Sequence, residues 1–166
     1  FARTDPSGND VTIDNISVIE ITDDTNLPRI NYEGFSYQDA LGSELITNGG
    51  FDTDSDWLKN SGWTISGGTA NTDGTINSKI QQSNVATIGK TYKYSFDVLN
   101  SSAGTLSGRF RTGSGTVLPI SSEGTFSGYF VATSDNVNVT TLSDNSATFS
   151  IDNVSVKEYL GQEVVP

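Results

Sequence analysis

Apolar and polar residues alternate along much of this chain. Between residues 91 and 100, Tyr92, Tyr94, Phe96 and Val98 share one parity, and Lys93, Ser95 and Asp97 the other. A period of two predicts a half-buried β-strand. The same pattern sets Phe110 against Arg109 and Arg111 in 105–112, and Phe126 and Phe130 against Ser127 and Tyr129 in 125–132. Shorter strands are expected at 44–47, 63–65, 69–71, 76–82, 116–120 and 137–142, with Gly67-Gly68 turning a hairpin between the second and third of these. The last strand, 149–159, alternates but slips by one residue at Asp152-Asn153, which predicts a bulge. About ten short strands with turn signals every 8–12 residues read as a sandwich or barrel. Two sheets with their apolar sides facing make an all-β sandwich. Tyr94, Phe96, Phe110, Phe126, Phe130, Phe149 and Ile151 are its expected core.

The closing pattern FSIDNVSVKE has an echo near the other end, VTIDNISVIE at 11–20, with Asp14 matching Asp152. A domain-sized offset between two copies of one strand reads as a tandem repeat. A second echo sets Leu41-Gly42-Ser43-Glu44 against Leu160-Gly161-Gln162-Glu163. The expected organisation is a closing or donated strand at 1–21, a linker at 22–40, one complete unit at 41–159 and the start of a following segment at 160–166. Val11, Ile13, Ile16 and Val18 would need a partner sheet to stay dry. A lone strand with unpaired edges seeks one in its own unit or in a second copy. The expected partners are therefore copies of itself, in a filament or a trimeric fibre.

Composition narrows the chemistry. Of 166 residues, 9 are Lys or Arg and 20 are Asp or Glu, a net charge of −11. No basic stripe is visible, so neither nucleic acid nor an anionic membrane is an expected partner. No apolar run approaches the ~18 residues of a membrane-spanning helix. Cys, His and Met are absent. Their absence excludes disulfides, thiol nucleophiles, Cys/His zinc sites and His-dependent triads. The acids Asp52, Asp54 and Asp56 crowd one polar loop, with no sign of the buried acid that glycoside cleavage requires. The chain is not expected to be an enzyme.

Four stretches carry a family resemblance: ELITNGGFDTDSDW (44–57), GWTISGG (62–68), GKTYKYSFDV (89–98) and FSIDNVSVKE (149–158). They resemble carbohydrate-binding modules of families four, nine and twenty-two, which are jelly-roll sandwiches. The flanking TNLPRINYEGFSYQDALGSE and YLGQEVVP are similar to connectors in tail-fibre and other structural proteins of marine bacterial viruses. The resemblance implies a fold in which first and last strands meet, bringing 48–52 near Asp152. It also implies a structural calcium ion there, held by Asn48, Asp52 and Asp152, since hard cations take several oxygen ligands. The alternative for Asp152 is capping the bulge through backbone amides.

The family binds glycans on a polar sheet face or at the loop rim. Matching candidates are Tyr129, Arg109 and Arg111, with Lys93 and Asp97, and Trp57 with Trp63 at the rim. The alternative for both tryptophans is core packing. The expected function is that of a non-catalytic structural repeat unit of an extracellular or virion fibre or filament; the alternative is a glycan-binding module that attaches a phage fibre or secreted enzyme to polysaccharide.

Overall fold

The computed structural model describes residues 36–102, 108–112, 115–141 and 148–165. The expected donated strand, with Val11, Ile13, Ile16 and Val18, lies outside them. So does the expected linker up to Phe35.

Among the described residues the chain forms eleven strands in order: β1 Ser36–Glu44, β2 Leu58–Lys59, β3 Trp63–Ser66, β4 Thr69–Thr72, β5 Lys79–Gln82, β6 Thr91–Leu99, β7 Gly108–Thr112, β8 Gly115–Ile120, β9 Gly124–Val131, β10 Val137–Thr141 and β11 Phe149–Val165. They build two antiparallel sheets. One runs β3-β4-β11-β6-β9, with β1 also paired to β11; the other runs β2-β5-β10-β7-β8. This is an all-β sandwich, as the alternation predicts, and its form is the jelly roll that the resemblance implies. Gly67 and Gly68 both take positive φ, 66° and 74°, the geometry of a two-residue hairpin turn between β3 and β4.

The inner faces meet through stacked aromatic rings. Phe110 of β7 lies 4.8 Å from Tyr94 and 5.1 Å from Phe96, both on β6 of the opposite sheet. Tyr94, Phe96, Phe110, Phe130, Phe149 and Ile151 are all buried. Phe126 is only partly buried, because β9 is an edge strand, but its ring packs 5.5 Å from Phe96. Trp63 meets Phe149 edge-on at 5.8 Å.

The expected slip in β11 is real. The ladder to β6 shifts register between Asp152 and Ser155, and Asn153 takes φ 52°. The strand expected at 76–82 begins only at Lys79, because Asn77 is left-handed, with φ 53°.

The start of the unit differs more. The first strand ends at Glu44, where it was expected to begin. The Glu44 carboxylate explains the change: its Oε1 accepts from Leu45 N (3.1 Å), Ile46 N (3.0 Å) and Val156 N (2.9 Å). A side chain that takes backbone N–H groups competes with the ladder. Both expected unit boundaries, after Ala40 and after Tyr159, fall inside strands. β1 starts within the expected linker, and β11 continues to Val165. The second echo lies between them: Ala40 pairs with Gly161 and Leu41 with Tyr159. The two Leu-Gly copies are facing rails of one two-stranded ribbon.

Candidate functional site

The loop after β1 reaches the β11 bulge, as a jelly roll requires. Val154 N donates to Gly49 O at 2.9 Å, and Leu45 N to Val156 O at 3.0 Å. Asn48, with φ 53°, organises this loop rather than facing outward. Its Nδ2 donates to Thr53 O (2.7 Å) and Ser55 O (3.1 Å), and its carbonyl accepts from Trp57 Nε1 (3.0 Å). Asp52 is exposed. Asp152 Oδ1 accepts Asn153 N at 2.6 Å, the bulge cap that was the alternative to metal binding. Among the described residues no group of three or more Asp, Glu, His or Cys could hold a metal ion. The Asn48 amide and one Asp152 carboxylate oxygen are thus engaged with backbone groups.

Both tryptophans are core residues, the alternative to a place at the rim, so Trp57 is not available as a glycan contact. Trp57 is 7% exposed and sits 5.1 Å from Phe51; Trp63 is 4% exposed. Neither offers a ring to a ligand.

The remaining candidates are divided between the two outer faces. Tyr129 belongs to the β3-β4-β11-β6-β9 face, directly opposite Lys93. Asp39, from the β1–β11 ribbon, reaches both: Lys93 Nζ and Tyr129 Oη donate to its Oδ2 at 2.6 and 2.5 Å. Asp39 pairs with Gln162 in the ribbon ladder, whereas Lys93 pairs with Lys157, so the ribbon must curl back across this face. Tyr159 completes the contact, edge-on to Tyr129 at 5.2 Å. The Lys93 ammonium, and then the Tyr129 hydroxyl, hold the Asp39 carboxyl below the ordinary carboxylate range. The same contact with Asp39 raises Lys93 and Tyr129.

Asp97 is similarly engaged, accepting from Thr125 Oγ1 (2.6 Å) and Asn153 Nδ2 (2.7 Å), which lower its pKa in that order. The cleft lined by Leu41, Lys93, Tyr94, Ser95, Ser155 and Lys157 holds about 160 Å³, against roughly 300 Å³ or more for typical ligand pockets. The ribbon engages this face at Lys93 and Tyr129, and Tyr129 remains half exposed.

Arg109 and Arg111 lie on the other outer face. There the ladder aligns two polar rows across β5, β10 and β7: Gln81–Asn138–Arg111 and Lys79–Thr140–Arg109. Asn138 and Thr140 alternate with the core residues Val137 and Val139, so they point outward, yet they are only 5% and 8% exposed. Thr140 Oγ1 donates to Asn138 Oδ1 at 2.9 Å, and Lys79 Nζ to Gln81 Oε1 at 2.7 Å. Leu58, opposite Gln81 on β2, is 64% exposed at the edge of the first row. The rows therefore make a recessed polar floor with longer side chains along its sides. The sequence marked the two arginines as candidates and did not mark Lys79, Gln81, Asn138 and Thr140, which the pairing brings beside them. The alternation V-N-V-T in β10 was the available signal.

No family model and no curated protein matches this chain. Among solved structures, it is similar to the CBM22-1 xylan-binding domain of Paenibacillus barcinonensis Xyn10C. That likeness has a TM-score of 0.51 at 14% identity, over 72% of this chain and 97% of that one. Another similar structure is the N-terminal cellulose-binding domain of Cellulomonas fimi β-1,4-glucanase C, with TM-score 0.49 and 20% identity over 70% and 97% of the two chains. At 14% identity the likeness to the xylan-binding domain is one of fold.

Proposed function

We propose that this chain is a non-catalytic polysaccharide-binding module whose ligand lies across the outer face of β2, β5, β10, β7 and β8. The observation that carries the reading is the recessed pair Asn138 and Thr140, flanked in register by Gln81, Lys79, Arg109 and Arg111. Amide, hydroxyl and guanidinium groups supply both donors and acceptors, which is what sugar hydroxyls require. The floor spans two ladder spacings from β5 to β7, roughly 10 Å. The xylan-binding description of the similar domain supports the reading by analogy of fold.

Affinity electrophoresis against a panel of soluble neutral and acidic polysaccharides tests this. At least one polysaccharide should retard the protein. Arg109→Ala and Arg111→Ala should each weaken retention by about 10–100-fold, the worth of a hydrogen bond to a charged group. Tyr129→Ala, on the opposite face, should retain it. Retention by no polysaccharide, or equal retention of all variants, contradicts the proposal.

The echo of 149–158 at 11–20 favours a second, compatible reading: the sandwich is a repeated unit of an extracellular or virion assembly. On that reading the chain sediments as an oligomer, and removing residues 1–21 leaves a folded monomer. A full chain that sediments as a monomer at every concentration counts against it.

A further inference from the structure

The two sheets carry opposite charge. The strands β2, β5, β7, β8 and β10 hold Lys59, Lys79, Arg109 and Arg111 and no Asp or Glu. The strands of the other sheet hold Asp39, Glu44, Asp97, Asp152, Glu158 and Glu163 against Lys93 and Lys157. In a chain of net charge −11, a sheet with four cations and no acid departs sharply from the composition. The placement within that sheet is as telling. Lys79 borders the recessed floor on β5, and Arg109 and Arg111 border it on β7, so cations line both sides. Lys59 stands apart, tied to Asp54 of the preceding loop. The ion pairs among the described residues use Lys59, Lys90 and Lys93 and leave Arg109 out.

A second feature points the same way. Phe110 is the one aromatic residue on these five strands, and it is fully buried. Among the described residues of these strands no ring faces outward to stack on the apolar side of a neutral sugar, so on them hydrogen bonds and charge must supply the affinity. Arg presents a planar fork that matches carboxylate and other oxyanion groups, with Lys as a point charge beside it.

We infer that this face recognises an acidic polysaccharide, whose carboxylate or sulfate groups lie against Lys79, Arg109 and Arg111. The inference rests on the proposed binding face and names the ligand class it takes. Non-specific attraction of polyanions is disfavoured by the overall negative charge, so a polyanion that binds must find a local positive field.

The test is titration of the full chain with polygalacturonate (carboxylate only), dextran sulfate (sulfate only) and neutral xylan, at about 20 mM and 200 mM salt. At least one polyanion should bind at least tenfold more tightly than xylan. Its affinity should fall at least fivefold on raising the salt, because exposed charge pairs are screened within about a Debye length. Lys79→Gln and Arg109→Gln should each weaken polyanion binding at least fivefold, and Lys90→Gln, away from the face, should leave it unchanged. The salt dependence of the parent stands as evidence even if a variant fails to fold. Xylan binding with equal or greater affinity than both polyanions overturns the acidic assignment and leaves the binding face intact. Binding of none of the three overturns the assignment and counts against the binding face as well.

Discussion

Gly49 holds the loop after β1 against the bulge of β11. A Cβ built there would lie 2.0 Å from the carbonyl oxygen of Val154, the residue whose backbone N–H donates to Gly49 O. No side chain can be turned aside to make room, so Gly49→Ala must separate the loop from the bulge. Overpacking of this kind costs about 1–3 kcal/mol, and the backbone bond is lost besides. We expect a Tm several degrees below the parent; an unchanged Tm would show that the two segments are not in contact. The glycine and its neighbours Asn48 and Asp152 were legible in the sequence as a motif. Their role was not. Oxygen-bearing side chains beside a tight turn serve a cation or a backbone amide by the same chemistry, and only the hydrogen-bond partners decide between the two.

Strands with a strong alternation were legible, β6 above all, because one face of each is buried and the other is not. Partners were less so. The Leu-Gly echo suggested successive units, whereas it lies across the two rails of the β1–β11 ribbon, and a strand's own pattern does not name the strand beside it. Asp39 fastens that ribbon to Lys93 and Tyr129. Its depressed pKa means that the contact stabilises the fold above the ordinary aspartate value of 3.8 and is lost as pH falls through the lower folded value. Lys93, raised by Asp39, gives the opposite limb: its contribution is present below its ordinary value and is lost as pH rises through the folded one. The Tm difference between the parent and Asp39→Asn should therefore shrink when pH drops from 7 to below 3. A difference that stays constant with pH would mean that the Asp39 carboxylate is not engaged in the fold.

At the scale of the molecule, the sandwich presents two polar faces with different fates. One carries the acids and is contacted by the protein's own ribbon through Asp39; the other carries the cations around Asn138 and Thr140. The sequence singled out polar residues as glycan candidates but not the face each would join, since that depends on how strands are ordered in the sheets. Tyr129 and the two arginines looked equivalent as outward positions, and the topology separates them. The fold class followed from periodicity alone, whereas the site is a product of pairing across β5, β10 and β7, strands distant in the chain. The most direct test of the central claim is to map where a bound oligosaccharide touches the protein. Backbone and side-chain amide NMR shifts, followed during titration with a fragment of the best-binding polysaccharide, should move at Lys79, Gln81, Arg109, Arg111, Asn138 and Thr140 and stay still at Lys93, Asp97 and Tyr129. Shifts centred on Tyr129 and the ribbon, with the five-stranded face unmoved, would contradict it.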